Sequence, residues 1–398
     1  MFTQPQTVLM FAFVGAVFYW LIPPSWVQQR IWWLVVVSLS LIAYEAPQAV
    51  LALVAVSGWV YVAELMLFNL KKREMTPNKT DSWTVRLANQ VLNRRFVFWL
   101  AVAGLIAPML YVDLSGKPVA ILGLSYVIIK SFGVIVDAST LKTRAGLGSI
   151  LLLNSFFPIF SSGPIEDRET FTKHVLSKPV PTHQDLSFAV VRIAEGFFLT
   201  FYIGQEVLLK IISRYNDRGY LNPEIEGWAI IFLILLKFLY LYVNFSGYTS
   251  ISIGLARLVG IPVSENFNYP FLARNPQEFW QRWHMSLGKF LSKYLYLRMV
   301  VSLRRPYFAL FIAFVIVGLW HNIGLQYLLW GIGHGGMLVL FLMAKRKLAF
   351  RYAALPSAMR LMLGLIGCVM TICWVATLSF MANAPDLKTV GEIFSRVL

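Results

Sequence analysis

The sequence predicts an all-α, polytopic membrane protein with about eleven transmembrane or partly spanning helices, counted by the length of run needed to cross. Of its 398 residues, 58% are hydrophobic and 14% are charged, whereas a soluble chain carries about 25% charged residues. The hydrophobic residues are gathered in runs of helical length. Because no internal repeat, low-complexity tract or soluble domain separates these runs, we expect residues 1–398 to form a single integral membrane domain.

The net charge of +16 has two interpretations. It is typical of cytoplasmic loops rich in Lys and Arg, and it would also let some loops bind an acidic partner or anionic lipid head groups. Nucleic acid is disfavoured as a partner, because the basic residues lie in short segments beside apolar runs. Cys368 and Cys373 share a late apolar run, which favours small buried residues over a disulfide. No positive charge precedes the first apolar run, so no cleavable signal peptide is expected.

The amino-terminal part of the chain predicts five spans, at residues 7–22, 31–43, 50–70, 96–112 and 118–136. Glu45-Ala-Pro47 separates the second span from the third, since proline breaks a helix. The basic segment Lys71 to Arg95 is placed in the cytoplasm, which puts the amino terminus outside. Asp113 to Lys117 then forms a short outer turn, and a basic turn containing Lys142 and Arg144 follows the fifth span.

Ile150 to Phe160 is apolar but too short to cross a membrane. Asn154 and Pro158 interrupt this segment, which runs into Ser161-Ser-Gly-Pro-Ile165. A broken segment is tolerated at membrane depth only where it is buried in protein or lines a water-filled cavity. A peripheral loop is the alternative, and the sequence leaves both open.

The carboxy-terminal part predicts further helices, at residues 186–212, 228–243, 250–259, 307–320, 325–343 and 361–381. Glu206 and Lys210 lie one turn apart and predict a local ion pair. Asn244-Phe-Ser-Gly-Tyr248 is expected to break the chain between two of these helices. Lys345-Arg-Lys347 with Arg351 predicts a second cytoplasmic loop.

Between these spans, Asn275 to Tyr294 predicts one amphipathic helix lying along an interface. Asn275 suits its cap, Pro276 its first position and Glu278 a capping box. Helical spacing places one set of residues on the first face, namely Trp280, Trp283, His284, Leu287, Leu291 and Tyr294. It places a polar set on the opposite face, namely Glu278, Arg282, Ser286, Lys289 and Lys293.

Five histidines occur in the chain, and two of them, His174 and His183, lie in a polar segment where a solvated loop is favoured. His321 ends the apolar run at 307–320, where an imidazole needs a cavity or a partner. No His-Glu-x-x-His helix or suitably spaced carboxylate predicts a metal, and no Gly-x-Ser-x-Gly elbow predicts a serine nucleophile. A neutral His321 acting as general base fits the sequence better than a metal site or a serine nucleophile. The alternative is that His321 only packs at a helix end. His334, flanked by glycines, is more typical of a helix-packing contact.

At these residues the sequence resembles a known family. Four motifs, Asn266-Phe-Asn-Tyr-Pro-Phe271, Phe279-Trp-Gln-Arg-Trp-His-Met-Ser-Leu287, Gly318-Leu-Trp-His321 and Trp330-Gly-x-x-His334-Gly335, resemble the signature of the membrane-bound O-acyltransferase family. With the broken segment from Phe156, the resemblance covers a little under half of the chain. Within the family it is most similar to the bacterial branch of the teichoic acid D-alanyl transfer protein and the alginate O-acetylation protein, and Ser-Ser-Gly-Pro-Ile165 favours the former. Asn244, where that branch leads us to expect an acid, and Asn322, where a small residue is commoner, depart from the pattern.

The resemblance implies His321 as the catalytic histidine and His284 as a second polar position. It also implies a ring of helices around a thin core, in which a funnel from outside meets a tunnel from the cytoplasm. An acyl thioester, on a phosphopantetheinyl carrier protein or as acetyl-coenzyme A, would arrive at the cytoplasmic face. The acceptor would be a hydroxyl of an envelope polymer, reached directly or through an accessory extracytoplasmic transferase. The resemblance implies no tightly bound cofactor and a location in the bacterial cytoplasmic membrane.

Around this site we expect Trp280, Trp283 and Trp320 to wall the tunnel and exclude water, with ordinary aromatic packing or interfacial anchoring as the alternative. The polar residues expected along the substrate path are Ser286, Asn322 and Asn244.

Two other functions compete with acyl transfer. A transporter or flippase would use Lys130, Glu195, Lys237 and the broken segments near Pro158 and Asn244 as its substrate path, but it predicts paired interruptions in two related halves, which the sequence does not show. A scaffold for envelope assembly would tolerate changes at His321.

Overall fold

The computed structural model describes residues 5–75, 93–114, 123–140, 144–177, 180–217, 220–221, 225 and 227–397. Within them the regular secondary structure is helical, apart from one antiparallel pair of two-residue strands, Asn216–Asp217 and Tyr220–Leu221. The first eight helices are α1 Pro5–Leu21, α2 Val27–Glu45, α3 Pro47–Met75, α4 Arg94–Leu114, α5 Leu124–Ala138, α6 Leu147–Ser155, α7 Arg168–Leu176 and α8 His183–Ser213. The others are α9 Trp228–Leu258, α10 Pro276–Arg282, α11 Met285–Leu291, α12 Leu297–Leu303, α13 Pro306–His321, α14 Leu325–Ala353, α15 Ser357–Ala382 and α16 Leu387–Ser395.

Seven of the described helices, namely α2, α3, α4, α8, α9, α14 and α15, are long and apolar enough to cross a membrane. Two shorter apolar helices, α1 and α13, accompany them. The prediction of an all-helical, polytopic membrane protein is therefore confirmed. Much of the predicted cytoplasmic segment Lys71 to Arg95, the end of the turn Asp113 to Lys117, and Lys142 lie outside the described residues.

The chain forms two compact units, and both α8 and α9 contribute to each of them. The first unit comprises residues 1–192 and 252–264. There α3 packs against α2, α4, α5 and α6 around an apolar core. The second unit comprises residues 193–251 and 265–398, and its core is built from α8, α9, α10 and α15. The single domain over residues 1–398 stays a prediction.

The broken segment after α6 is buried within the first unit. Of the two alternatives that its sequence left open, the peripheral loop is therefore wrong. A short 3₁₀ turn, Phe157–Ile159, follows α6, and Phe156 and Phe160 on either side of it are almost fully buried. Lys130 Nζ donates to the carbonyl of Leu153 at 2.7 Å, so a buried amino group satisfies one of the free carbonyls at the carboxy-terminal end of α6. The hydroxyl of Ser38 accepts from the backbone N–H of Phe157 at 3.1 Å, which satisfies a donor that the break exposes.

Two predicted interruptions are wrong. Residues 244–248 are helical, because α9 runs unbroken from Trp228 to Leu258. Gly247 does not bend the chain: a Cβ there would lie 2.3 Å from Thr200 Oγ1 and 2.9 Å from the carbonyl of Gly196. Its role is therefore close packing of α9 against α8. The predicted loop at Lys345 to Lys347 is also helical, since α14 continues to Ala353.

The middle of α8 is π-helical from Phe198 to Leu209. A π-helix is rare and usually limited to a single turn, so a stretch of 12 residues is unusual. It lies where Thr200 and Gly204 approach α9, and a Cβ on Gly204 would lie 3.2 Å from Asn244 Oδ1. The predicted ion pair between Glu206 and Lys210 forms in this region.

Candidate active site

The chain from Asn275 to Tyr294 does not form one helix, and that prediction is wrong. Helix α10 begins as expected: Asn275 Oδ1 accepts from the N–H of Glu278 at 2.9 Å, and Pro276 takes the first position. The carboxylate of Glu278 accepts hydrogen bonds from the side-chain amide of Asn275 at 2.7 Å and from the backbone N–H of Arg274 at 3.0 Å. The helix ends at Arg282, however, and α11 starts only at Met285.

Backbone hydrogen bonds to a distant segment explain this break. Trp283 is extended, and His284 adopts the left-handed conformation with φ 44° and ψ 53°, which is unfavourable for a residue other than glycine. The N–H of Met285 donates to the carbonyl of Asn266 at 2.9 Å, and the N–H of Asn268 donates to the carbonyl of Arg282 at 3.0 Å. Residues 266–268 therefore satisfy backbone groups on both sides of the break. Strain of this kind is stored where the surroundings over-determine it, often at functional sites.

The break changes which side chains face the protein interior. Ser286, predicted on the polar face, is 2% exposed, and its hydroxyl donates to Asn266 Oδ1 at 2.5 Å. Trp283 packs into the core of the second unit, where it stacks on Phe238 and Phe279 at centroid distances of 5.3 and 5.5 Å. Its ring neighbours are aromatic residues and none of the histidines, which favours the packing role over the tunnel wall.

His284 is buried and held on two sides. Its Nδ1 lies 3.1 Å from Asn266 Oδ1, and its ring meets Phe245 edge-to-face at 4.9 Å. Burial lowers the pKa of His284, because the charged imidazolium loses its hydration there, and a charge on His321 lowers this pKa further. His284 is therefore neutral near pH 7, and the two rings are close enough for their charges to interact.

His321 is the last residue of α13, at the end of the apolar run where the sequence predicted it. Unlike His284 it is exposed, and it lies among the rings of Trp320, Tyr327 and Trp330 at centroid distances of 4.7, 6.0 and 5.6 Å. Among the described residues, no hydrogen bond occupies its ring nitrogens. An accessible imidazole in an aromatic setting has the access that a general base needs.

His334 completes a continuous set of ring contacts from His321. Trp330 lies 5.6 Å from His321 and 4.5 Å from His334, and Trp280 lies 5.0 Å from His334. His334 is 2% exposed, and its Nε2 has no hydrogen-bond partner within the described part of the chain. All three histidines lie in the second unit, and Trp330 contacts two of them, His321 and His334.

The other predicted site residues lie at different distances from these rings. Trp320 contacts His321 directly. Asn322 directly follows α13 as its C-cap, is exposed, and its carbonyl accepts from the N–H of Gly324 at 3.0 Å. Asn244 bonds within its own helix, to the carbonyl of Tyr240 at 3.2 Å; its neighbour Phe245, and not Asn244 itself, contacts the ring of His284.

Asn266 was missed as a functional residue, although it begins a motif that the sequence singled out. It is fully buried and holds both His284 and Ser286. Its contacts span 18 and 20 residues of chain, and no local periodicity reports a contact of that separation.

Of the remaining histidines, His174 is not a solvated loop residue: it lies in α7, and its Nδ1 is 2.9 Å from the carbonyl of Pro262. His183 is exposed, at the start of α8. Among the described residues, no group of three or more His, Cys, Asp or Glu side chains is arranged to hold a metal ion. The absence of a metal from the reaction stays a prediction.

Glycines set the position of His321 by letting α13 and α14 approach closely. A Cβ on Gly318 would lie 2.3 Å from the carbonyl oxygen of Tyr327 and 3.2 Å from the backbone nitrogen of Gly331. A Cβ on Gly331 would in turn lie 2.7 Å from the carbonyl oxygen of Phe314. Because backbone atoms cannot move aside as a flexible side chain can, only residues without a Cβ fit at this contact.

We therefore expect Gly318→Ala to separate the two helices at the turn that carries His321. Overpacking of this kind costs about 1–3 kcal/mol of stability, and the displaced imidazole should reduce activity beyond that loss. Gly336→Ala in α14 is the matched control, since a Cβ there meets nothing within 4 Å. Thermal melting in detergent and turnover measured on both variants check this expectation. Equal behaviour of the two would show that the close contact does not position His321.

The chain is similar to a known protein family and to several known proteins. The model of MBOAT, the membrane-bound O-acyltransferase family, matches residues 32–382. The chain is 29% identical over 256 residues to a teichoic acid D-alanyltransferase of Bacillus subtilis, covering 60% of this chain and 63% of that one. It is 32% identical over 191 residues to a peptidoglycan O-acetyltransferase of Helicobacter pylori, covering 46% and 35% of the two chains. It is also 28% identical over 229 residues to a probable alginate O-acetylase of Pseudomonas aeruginosa, covering 54% and 41%.

The matched regions span less than two thirds of each of these relatives. The family match, by contrast, extends over most of the chain and includes all three histidines and the helices that carry them. The chain is a multi-pass membrane protein and belongs to the membrane-bound O-acyltransferase family.

Proposed function

We propose that the protein is an O-acyltransferase that moves an acyl group from a cytoplasmic thioester across the membrane to a hydroxyl of a cell-envelope polymer. The observation that carries this proposal is the exposed imidazole of His321 at the end of an apolar helix, in a chain of this family. The related proteins act on teichoic acid, peptidoglycan or alginate according to their names. D-alanyl is favoured as the acyl group and acetyl is the alternative.

His321 supplies the base in the reaction. Its unprotonated ring nitrogen takes the proton of the acceptor hydroxyl while the hydroxyl oxygen attacks the thioester carbonyl carbon. The carbon–sulfur bond then breaks, and the thiolate leaves with the proton that the imidazolium returns. An ester and a free thiol result, and the histidine regains its starting state. Since the thioester is already activated, no covalent enzyme intermediate is needed.

The donor is expected at the cytoplasmic face, as a phosphopantetheinyl carrier protein or acetyl-coenzyme A. Basic residues near the end of α14 suit a phosphate-bearing or acidic partner there, and Lys345, Arg346, Lys347 and Arg351 are all exposed. The acceptor polymer, or an accessory extracytoplasmic transferase that carries the acyl group onward, would bind on the opposite side. A cytoplasmic donor and an extracytoplasmic acceptor fit a protein in the bacterial cytoplasmic membrane, where membrane lipids surround it.

The remaining residues are assigned to positioning and exclusion of water. His284 would bind the acyl carbonyl or the pantetheine arm of the donor. Trp280 and Trp320, which contact histidines, would shield the thioester from hydrolysis. We expect a funnel and a tunnel to meet at this point, with about eleven spanning or partly spanning helices around them.

The test uses purified protein in lipid vesicles with fragments of teichoic acid or alginate as acceptor. Radiolabelled D-alanyl carrier protein and acetyl-coenzyme A are compared as donors. We expect label to reach the acceptor from one donor far faster than in protein-free vesicles. Movement of an unmodified envelope precursor across the vesicle membrane, without transfer of label, would instead favour a transporter.

A further inference from the structure

The amide oxygen of Asn266 is the meeting point of three groups in the buried site. The backbone N–H of Ser286 lies 3.3 Å from it, the hydroxyl oxygen of Ser286 2.5 Å and His284 Nδ1 3.1 Å. Asn266 and Ser286 are 0% and 2% exposed, and His284 is 6% exposed. Each of these groups therefore depends on its protein partners for hydrogen bonding.

The backbone N–H of Ser286 fixes the orientation of this amide. A backbone N–H can only donate, so the atom of Asn266 that faces it must be the acceptor oxygen and not the NH₂ group. The NH₂ group then points to Thr249 Oγ1, 3.5 Å away, which can accept from it. The assignment of oxygen and nitrogen thus follows from the backbone.

The fixed amide in turn determines the proton on His284. An amide oxygen has no hydrogen to give, so an unprotonated Nδ1 facing it would place two lone pairs against each other. A proton on Nδ1 makes the same contact a hydrogen bond. Burial keeps the ring neutral, so a proton on Nδ1 leaves Nε2 unprotonated.

We propose that Asn266 is a positioning residue that locks His284 in the Nδ1–H tautomer, so that His284 offers an Nε2 lone pair to the bound substrates. This inference rests on the proposed function for what is bound. It narrows the role of His284, because an Nε2 without a proton cannot donate to the acyl carbonyl. The group that His284 binds is a hydrogen-bond donor, either an amide N–H of the pantetheine arm or an O–H of the acceptor other than the one that His321 deprotonates.

The tautomer can be measured without any assay of activity. In protein carrying ¹⁵N-labelled histidine in lipid nanodiscs, the ring nitrogens of His284 are assigned by comparison with His284→Gln. We expect a protonated Nδ1 and an unprotonated Nε2 in the wild type. Asn266→Asp keeps the acceptor oxygen and should keep the proton on Nδ1, whereas Asn266→Leu should lose the preference for it. Thr249→Val is the matched control, since it removes only the partner of the NH₂ group. A protonated Nε2 in the wild type would overturn the proposal.

Kinetics identify which donor group His284 binds. Two probes are used, the acetyl thioester of N-acetylcysteamine, which carries an amide, and S-propyl thioacetate, which carries none. If the bound group is the amide, Asn266→Leu should raise KM about tenfold for the first probe only, as expected for one lost hydrogen bond. If it is the acceptor hydroxyl, kcat should fall for both probes alike. In either case Asn266→Asp should restore the wild-type values more fully than Asn266→Leu.

Wild-type kinetics in a folded Asn266→Leu variant would overturn the proposal, and so would loss of activity with an unchanged tautomer. Should Asn266→Leu fail to fold, Asn266→Asp still tests the inference, because its acceptor oxygen must keep the proton on Nδ1 of His284. The labelled spectra do not depend on acyl transfer. A correct tautomer in a protein that transfers no acyl group would therefore refute the proposed function and leave the structural assignment standing.

Discussion

Replacing His321 with alanine is expected to lower the rate of acyl transfer by about 10²- to 10⁴-fold, the usual contribution of a positioned general base. The reason is specific to this position. His321 is exposed, at the end of α13, and no described residue occupies its ring nitrogens, so its imidazole is available to a substrate hydroxyl. Because the side chain is exposed, its removal should change the stability of the fold by no more than about 0.5 kcal/mol.

The measurement is transfer of label from the better donor to polymer fragments, with melting of the variant as the check on folding. His183→Ala serves as control, since His183 is also an exposed histidine, at the start of α8 in the first unit. We expect the control to retain wild-type rates. Unchanged transfer by a folded His321→Ala variant would remove His321 as the base, and the transporter and scaffold interpretations would regain support.

Local signals in the sequence predicted the parts of the fold that depend on local chemistry. Proline marked the boundary between α2 and α3, where α2 ends at Glu45 and α3 begins at Pro47. The cap at Asn275 formed as expected, because an N-cap needs only the next few backbone groups. The position of His321 at the end of a helix followed from an apolar run that stops there.

The features that the sequence did not predict depend on contacts between distant segments. The residues from Trp280 to Tyr294 follow the spacing of a single helix, yet the chain breaks at His284. The break occurs because residues 266–268 bond to the backbone groups of Arg282 and Met285. Ser286 was placed on a polar face because the spacing assumed a helix without this break. Gly247 shows the opposite error: a glycine that suggested a bend serves instead to bring α9 against α8. In both cases tertiary contacts override local preference.

Replacing Arg168 with methionine is expected to destabilise the protein by about 3–5 kcal/mol, because it removes a cation that pairs with two buried carboxylates. Arg168 Nη1 lies 3.2 Å from Glu64 Oε1, and Arg168 Nε lies 3.8 Å from Asp137 Oδ2. The side chains of these residues are 7%, 1% and 4% exposed. Glu64 also accepts from the N–H of Ala145 at 2.7 Å, so this cluster joins α3, α5 and α7 to the start of the segment that leads into α6.

The loss should be specific to the buried charge. Lys173→Met is the matched control, because Lys173 is an exposed cation on the same helix, and its removal should leave the melting temperature close to that of the wild type. If the loss of this cation causes the destabilisation, adding Glu64→Gln and Asp137→Asn to Arg168→Met should recover part of it, since the amides are neutral. No recovery in the triple variant would show that Arg168 acts through its packing alone. A melting temperature unchanged by Arg168→Met would show that the cluster contributes nothing to stability.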